Sequence, residues 1–474
     1  MRDGSCVPLC RADLLIVVSD NHPETDPFGD YNWRNIIGSA TAEALTRYAC
    51  RMRILVATCI TVFIVTLDTT IVNLAVRPLE IALRGTVSQL QWVVDAYTIA
   101  YSSLIVLAGA IGDWFGRTRM FVGGIVVFCA GCAWCAVASS VEWLIVARIV
   151  AGVGAAFALP ASLAVLSDAY NDERARTHAV GYWVGMNGVA IAIGPPLGGA
   201  LIAAFAWRSI FAVTLPFGAF ALAMLAGHST NARLRQRPFP DALSTILAVA
   251  GLTAFTYAAI DRSIEFGLAG MVFLLAFVAR DRAAHQPLIP ATLLNAALFR
   301  RSFISAFCMT FGMYAFLFVA PAAAQRELHA GVFVTGLALV PSGLAFTALA
   351  PFATKLAATF GIPRTIGTGM LVIASGLALA PLAIALHTLS WLFAGSLLTG
   401  IGMGFATGPM MASGTSVGGA ELSGMASALL NTARLSGATL GVAILGGLSL
   451  GAAMSVGAGV EVAGAVLAYG FVRR

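Results

Sequence analysis

Apolar runs of about 20 residues, long enough to cross a ~30 Å hydrocarbon core as helix, recur from Ile54 to the C-terminus, separated by short polar turns. The pattern predicts fourteen helices, near 54–76, 90–111, 119–139, 142–166, 179–204, 207–227, 241–260, 264–280, 302–324, 333–356, 364–386, 389–411, 422–448 and 453–471. The fold class is an all-α polytopic membrane protein. Residues 1–52 break the pattern: they are polar, with "NHPETDPFGDYN" at 21–32. "LLIVV" at 14–18 is too short for the apolar core of a signal peptide followed by a cleavage site. This stretch reads as a disordered or mis-annotated extension, with Met52 as an alternative start.

The loop charges test the count. With a cytoplasmic N-terminus, the inward loops and tail carry fifteen basic residues, among them Arg117, Arg119, Arg233, Arg300, Lys355 and Arg364, against five outside, Arg77, Arg84, Arg208, Arg262 and Arg326. That asymmetry follows the positive-inside rule and would be scrambled by an odd number of spans in the first half. Two basic residues belong to neither set. Arg148 and Arg434 lie inside apolar helices, where a charge costs several kcal/mol unless it meets a partner or a cavity.

Composition agrees. Of 474 residues, 59% are hydrophobic and 11% charged, against roughly 25% charged in a soluble domain, and the mean hydropathy is +0.87. The net charge of +6 is spread through short loops and reports orientation, so no nucleic-acid partner is expected. Eight cysteines include Cys129, Cys132 and Cys135 in one apolar helix. Without His or acidic neighbours they read as small apolar packers, and neither a metal nor a cofactor is called for. No H-E-x-x-H, no Walker A sequence and no paired catalytic carboxylates on one segment appear, so neither an enzyme nor an ATP-driven machine is expected. A receptor reading would need a larger soluble module.

Several motifs follow in order. "GAIGDWFGRTRM" contains Gly109, Asp113, Gly116, Arg117 and Arg119, which fit the G-x-x-x-D-x-x-G-R-x-R/K loop of the major facilitator superfamily. Glycines permit a tight turn close to neighbouring helices, and Asp113 is placed to pair with basic groups as a gate latch. "RIVAGVGAAFALPASLAVL" from Arg148 resembles the family's fourth-helix segment, with Ala151 where Gln is usual. "GVAIAIGPPLGGAL" holds Gly188, Gly194, Pro195, Gly198 and Gly199 and resembles the glycine-proline segment of its antiporters. Small faces permit close helix contact, and Pro195 frees a backbone carbonyl. "LDTTIVNLAV" at 67–76 resembles the helix-1 signature of the fourteen-helix drug:proton antiporters, with Arg77 where Pro is expected. "SQLQWVVDAYTIAYSSLIVLAG" and "GMASALLNTARLSGATLGVAILGG" resemble the same subfamily. "PFATKLAATFGIPR", with Lys355, Gly361 and Arg364, echoes the first loop as parallel repeats would.

The resemblance implies two six-helix halves at 53–227 and 283–474, with a two-helix insertion at 228–282. It also implies proton-coupled export of lipophilic drugs, antiseptics or antibiotics by alternating access, from a bacterial inner membrane with both termini cytoplasmic. Proton symport, export of an endogenous metabolite and a non-transporting receptor are the alternatives. The expected partners are a small lipophilic substrate, protons and the bilayer; the chain is expected as a monomer, with a periplasmic adaptor as an optional addition.

The candidate chemistry centres on Asp68, an acid in an apolar run. By helical rise it lies ~12 Å below the end of helix 1, Arg148 ~9 Å and Asp95 ~8 Å from the same side. The three therefore share one level. Burial disfavours a charged carboxylate and a nearby Arg favours it; an acid held between these exchanges its proton when its distance from Arg148 changes. Asp68 is the expected coupling site and Asp95 its rival. Thr58, Thr61 and Asp68 share a helix face and are expected to line a substrate cavity with Tyr97 and Arg434. A flat substrate would also meet Tyr101, Tyr182, Trp183, Phe311 and Tyr314.

Overall fold

The structure, a computed structural model, describes residues 33–170, 172–226, 242–284, 289, 291–417 and 419–470. The first helix, α1 (Trp33–Ile71), passes through a 3-10 turn at Val72–Ala75 into α2 (Val76–Leu83), followed by α3 (Val87–Phe115), α4 (Arg117–Val137), α5 (Val141–Ala169) and α6 (Glu173–Phe205). Next come α7 (Ser209–Ala212), α8 (Thr214–Leu225), α9 (Ala242–Asp261), α10 (Ile264–Ala283) and α11 (Ala291–Asn295). The chain continues through α12 (Ala297–Glu327), α13 (Val332–Phe360), α14 (Ile362–Leu379), α15 (Leu382–Ala385), α16 (Ser390–Ser416), α17 (Gly419–Leu445) and α18 (Leu450–Tyr469). Among the described residues, eleven helices are long and apolar enough to cross a membrane, and α7–α8 form a shorter apolar stretch.

The helices broadly follow the apolar windows, but the windows at 207–227 and 364–386 each divide into two helices, and there are two further differences. Residues 33–52, read from sequence as part of a disordered extension, are helical; this stretch contains no proline and carries good helix formers such as Ala, Leu and Arg. Residues 1–32 lie outside the described ones. Helix 1 also runs past 76. Asn73 Nδ2 donates to the Thr69 carbonyl at 3.2 Å, locally tightening the chain, and Pro78 then falls in the first turn of α2, where its missing N–H is not needed.

Polar residues start several helices by accepting otherwise orphaned N–H groups. Asp172 accepts from Ala175 N at 2.8 Å at the start of α6, and Ser140 and Ser449 serve α5 and α18. Inside α1, Thr58, Thr61, Thr69 and Thr70 return their hydroxyls to carbonyls of their own helix, which lets polar side chains sit in an apolar interior without other partners.

Helix packing sets the frame. α1 packs on α6 and α8, and α5 on α3 and α4; on the other side α12 packs on α17 and α18, and α16 on α13 and α14. Two seams join these sets, α6 against α13 and α3 against α17. The α9–α10 hairpin leans on the second seam, α9 touching both α3 and α17. There the Trp92 and Tyr257 rings meet at a tilt, 6.0 Å between centroids, and Ser88 Oγ donates to Asp261 Oδ1 at 2.9 Å.

Candidate functional site

Asp68 and Arg148 meet. Arg148 Nη1 donates to Asp68 Oδ2 at 2.5 Å, with the two side chains 1% and 0% exposed. The guanidinium also donates through Nε to the Val93 carbonyl of α3 at 3.0 Å. Its charge lies 4.2 Å from the Tyr97 ring centroid and 5.8 Å from that of Phe211, a cation–π arrangement that offsets part of the lost hydration. The Tyr97 hydroxyl closes the box by donating to the Val65 carbonyl at 3.4 Å. One oxygen of Asp68 is thus held by the arginine, and the other, Oδ1, has no hydrogen-bond partner among the described residues.

Asp95 is not part of this box. It is fully buried, and among the described residues neither of its carboxyl oxygens has a partner. Its stripe on α3, Gln91–Asp95–Thr98, has one-face helical spacing and turns toward α17. Gln91 Nε2 donates to the Val442 and Ala443 carbonyls at 2.9 and 3.2 Å, and Thr439 Oγ1 donates to Thr98 Oγ1 at 2.8 Å. The common level expected of Asp68, Arg148 and Asp95 therefore resolves into a closed pair and a separate acid on the α3–α17 seam.

Of the expected cavity residues, Thr61 and Tyr97 are enclosed in this conformation. Thr61 is satisfied by the Ala57 carbonyl, and Tyr97 roofs Arg148. Arg434, on α17, differs. It is partly exposed, donates through Nη1 to Asn431 Oδ1 at 3.5 Å, and its Nε has no partner among the described residues. The carbonyl of Arg434 accepts from Thr310 Oγ1 at 2.6 Å, which ties α17 to α12. Tyr101 of α3 and Tyr314 of α12 lie within electrostatic reach of its charge. Tyr182 is exposed, Trp183 donates to Ser162 Oγ at 3.1 Å, and Phe311 is buried.

The predicted latch loop turns at Gly116, whose φ of +95° is open to glycine and strained for other residues. Gly109 and Asp113 fall on the last turns of α3, and their side chains lie outside the described ones. Arg117 binds Asp168 of α5 with both carboxyl oxygens, at 2.8 and 2.9 Å, and Arg119 is exposed. The echo loop has the same turn: Gly361 has φ +90° between α13 and α14.

The glycine-proline segment lies where α6 is squeezed between α1 and α13. A Cβ on Gly194 or Gly198 would collide with Thr70 or Ile71 of α1, and one on Gly199 would come within 2.8 Å of Phe333 Cα on α13. Gly188 faces Thr347 of α13, and Pro195 offers its carbonyl to the surface left bare by Gly336. α6 runs as one helix through Pro195 and Pro196.

The family model of the Major Facilitator Superfamily matches residues 58–442. The chain belongs to that superfamily. Among its relatives, the Methylenomycin A resistance protein of Streptomyces coelicolor is 30% identical over 78% of this chain and 79% of its own length. The Multidrug resistance protein Stp of Mycobacterium tuberculosis is 29% identical over 80% and 72%, and the drug efflux pump JefA of the same organism 30% identical over 80% and 76%. In fold, the transporter is similar to a POT family transporter crystallised with a thioalcohol-conjugated peptide, at TM-score 0.67 and 11% identity over 88% of this chain and 96% of that one.

The facilitator fold brings together residues that sequence patterns passed over. Asp168 ends α5 beside the Gly116 turn; the signal was its place two helices on from the basic loop, at the same end of the bundle. At the opposite end, Glu80 Oε2 accepts from Arg326 Nη2 at 2.7 Å and pairs with Arg77 at 3.0 Å, joining α2 to α12. Beneath that bridge is a cavity of about 140 Å³, lined by Leu90, Phe318, Ala322 and Leu450 among others. Another buried acid, Glu461 of α18, is a lone carboxylate in an apolar helix that no motif marks. Gly414–Gly418 has nucleophile-elbow spacing, but Ser416 ends a helix and donates to the Ser413 carbonyl at 2.9 Å. Among the described residues no group of three His, Cys, Asp or Glu side chains is arranged to hold a metal.

Proposed function

We propose that this transporter is a proton-driven exporter of lipophilic drugs or antibiotics, working by alternating access between two six-helix halves, 53–227 and 283–474, with the 228–282 hairpin inserted between them. The observation that carries the reading is the Asp68–Arg148 pair, buried in a chain whose relatives are named for drug and antibiotic resistance. In the conformation at hand Arg148 holds the Asp68 carboxylate. Drawing α1 away from α5 removes that hold, and the acid then takes a proton; restoring the pair expels it. Binding of substrate and proton thereby become linked through one conformational equilibrium, and the membrane potential contributes about 2.3 kcal/mol per charge per 100 mV.

The bridge between α2 and α12 supports assigning this conformation as closed on the outer side, with fourteen spans and both termini on the cytoplasmic side, as the basic loop residues favour. The partly exposed charge of Arg434, with Tyr101 and Tyr314 within its electrostatic reach, favours neutral or anionic aromatic substrates over cations, since a fixed positive charge repels its like.

The test is efflux of a fluorescent lipophilic compound from everted membrane vesicles, with and without the protonmotive force, for native protein and for Asp68→Asn and Asp95→Asn. Gradient-dependent efflux lost in Asp68→Asn supports the reading. Loss in Asp95→Asn alone moves coupling to the α3–α17 seam. A properly inserted native protein indifferent to the gradient, across neutral, anionic and cationic probes, overturns it.

A further inference from the structure

Glu461 sits in the middle of the buried stripe of α18, on the face that carries Ala453, Gly457, Gly464, Ala465 and Ala468. The side chain is fully buried, and among the described residues neither carboxyl oxygen has a hydrogen-bond partner. Its surroundings are the facing surfaces of α12 and α14. A Cβ on Gly312 of α12 would lie 3.2 Å from Glu461 Oε1 and 2.9 Å from Leu377 of α14, so the missing side chain at 312 is the space the carboxyl occupies. α14 contributes Leu377 and Met370. The titratable group facing Glu461 is the Cys308 thiol of α12, and no charged group acts on the carboxyl from any packed helix among the described residues.

Nothing in this packing needs an acid. Leu or Met would fill the volume with dispersion contacts alone, while an ionised carboxylate without a partner is penalised by several kcal/mol. Asp68 has an arginine to hold its charge; Glu461 has none and is accommodated as the neutral acid. A carboxyl in a slot walled by small residues of α12 and α18 and by Leu377 of α14 is released to water only when those helices move apart.

We propose that Glu461 is a second proton-binding site, built into the α12–α14–α18 helices and independent of Asp68. Its ligand is a proton taken from water when α18 separates from α12 and α14, and returned to water at the next separation. As a route for protons during transport, this rests on the reading of the chain as a proton-driven exporter; as a proton site it stands on the packing alone.

The experiment uses the full chain in lipid nanodiscs and in liposomes. Dicyclohexylcarbodiimide, which modifies neutral carboxyls in apolar surroundings, is applied over a pH series and located by peptide mass spectrometry. In parallel, the infrared carbonyl band of neutral carboxylic acids is compared between native protein and Glu461→Gln. The expected result is modification at 461 that fades as pH rises, and loss of one acid band in Glu461→Gln. In liposomes Glu461→Gln should move fewer protons per substrate while keeping gradient-independent substrate exchange, with Glu461→Asp restoring the native ratio. Exchange retained in Glu461→Gln shows that the variant is folded. No modification at 461 or no difference in the acid band in Glu461→Gln overturns the proposal, and an unchanged proton ratio in that variant overturns its part in transport. If position 461 titrates while the native protein moves no substrate with the gradient, the proton site stands and the export reading falls; if the native protein exports with the gradient while position 461 neither reacts nor contributes an acid band, the export reading stands and the proton site falls.

Discussion

Asp68 of α1 and Arg148 of α5 share one hydrogen bond at 2.5 Å inside a wall of Tyr97 and Phe211, yet the two partners are not equivalent. A stranded carboxyl can take up a proton; a stranded guanidinium cannot lose one. Asp68→Ala is therefore expected to destabilise the protein by about 3–5 kcal/mol, the range for breaking a buried pair, and Arg148→Met by less. Thermal unfolding of the purified variants checks the order. Equal losses would show that the arginine finds another partner or reaches water.

The α3–α17 seam predicts a second ordering. Asp95 has no partner to lose, so Asp95→Asn should alter stability by no more than about 1 kcal/mol, the scale of an ordinary net hydrogen bond. Gln91→Ala and Thr98→Val remove bonds across the seam and should each shift the closed–open equilibrium by about fivefold, the equivalent of about 1 kcal/mol. The rate of thiol labelling at Ala443→Cys in these backgrounds reports the opening. Unchanged labelling would mean that the seam is held by apolar contact alone.

Two glycines of α6 separate close approach from helix propensity. Gly199→Val must displace Phe333 backbone on α13 and should abolish folding or transport, whereas a Cβ on Gly185 meets nothing within 4 Å. Gly185→Ala is thus expected to stabilise, by roughly 0.5–1 kcal/mol from propensity. Expression and unfolding temperature of the two variants provide the check.

Glu80 serves Arg326 and Arg77 through the same oxygen. Glu80→Gln removes the charge that both arginines share and places two like charges side by side. This end of the bundle should open more often, seen as faster labelling of a cysteine at Ala322 in the cavity beneath. The three side chains are between a quarter and two fifths exposed, so the effect should shrink with added salt and amount to no more than about 1 kcal/mol. A salt-independent change would point to packing instead.

The apolar runs made the helices legible because lipid leaves a helix few alternatives. The depth argument brought Asp68 and Arg148 to one level, and they proved to be bonded. The same argument grouped Asp95 with them and missed its direction, because depth follows from rise along the axis while facing depends on which neighbour a stripe meets. Gln91 and Thr98, one turn either side, held that information in their side chains. Arg117 was legible as a loop charge, but its partner Asp168 was not, since the pairing is made by two helices folding back to one end. Glu461 carried the same signal as Asp68, a lone acid in hydrocarbon, without a surrounding motif to draw the eye. Residues 33–52 were misread because low apolarity says nothing against a helix that begins before the membrane.

The buried pair also has a direction in time. Asp68 precedes Arg148 by 80 residues, so during synthesis the acid is threaded into lipid well before the base. An acid can make that passage uncharged, carrying its own proton, and wait. When α5 follows, its guanidinium enters with its counter-ion already in place, and bond formation can release the waiting proton. The reverse gene order would leave a permanent charge in lipid with nothing to meet it. Any proton this acid carries into lipid would thus be released on assembly, when α5 docks against α1.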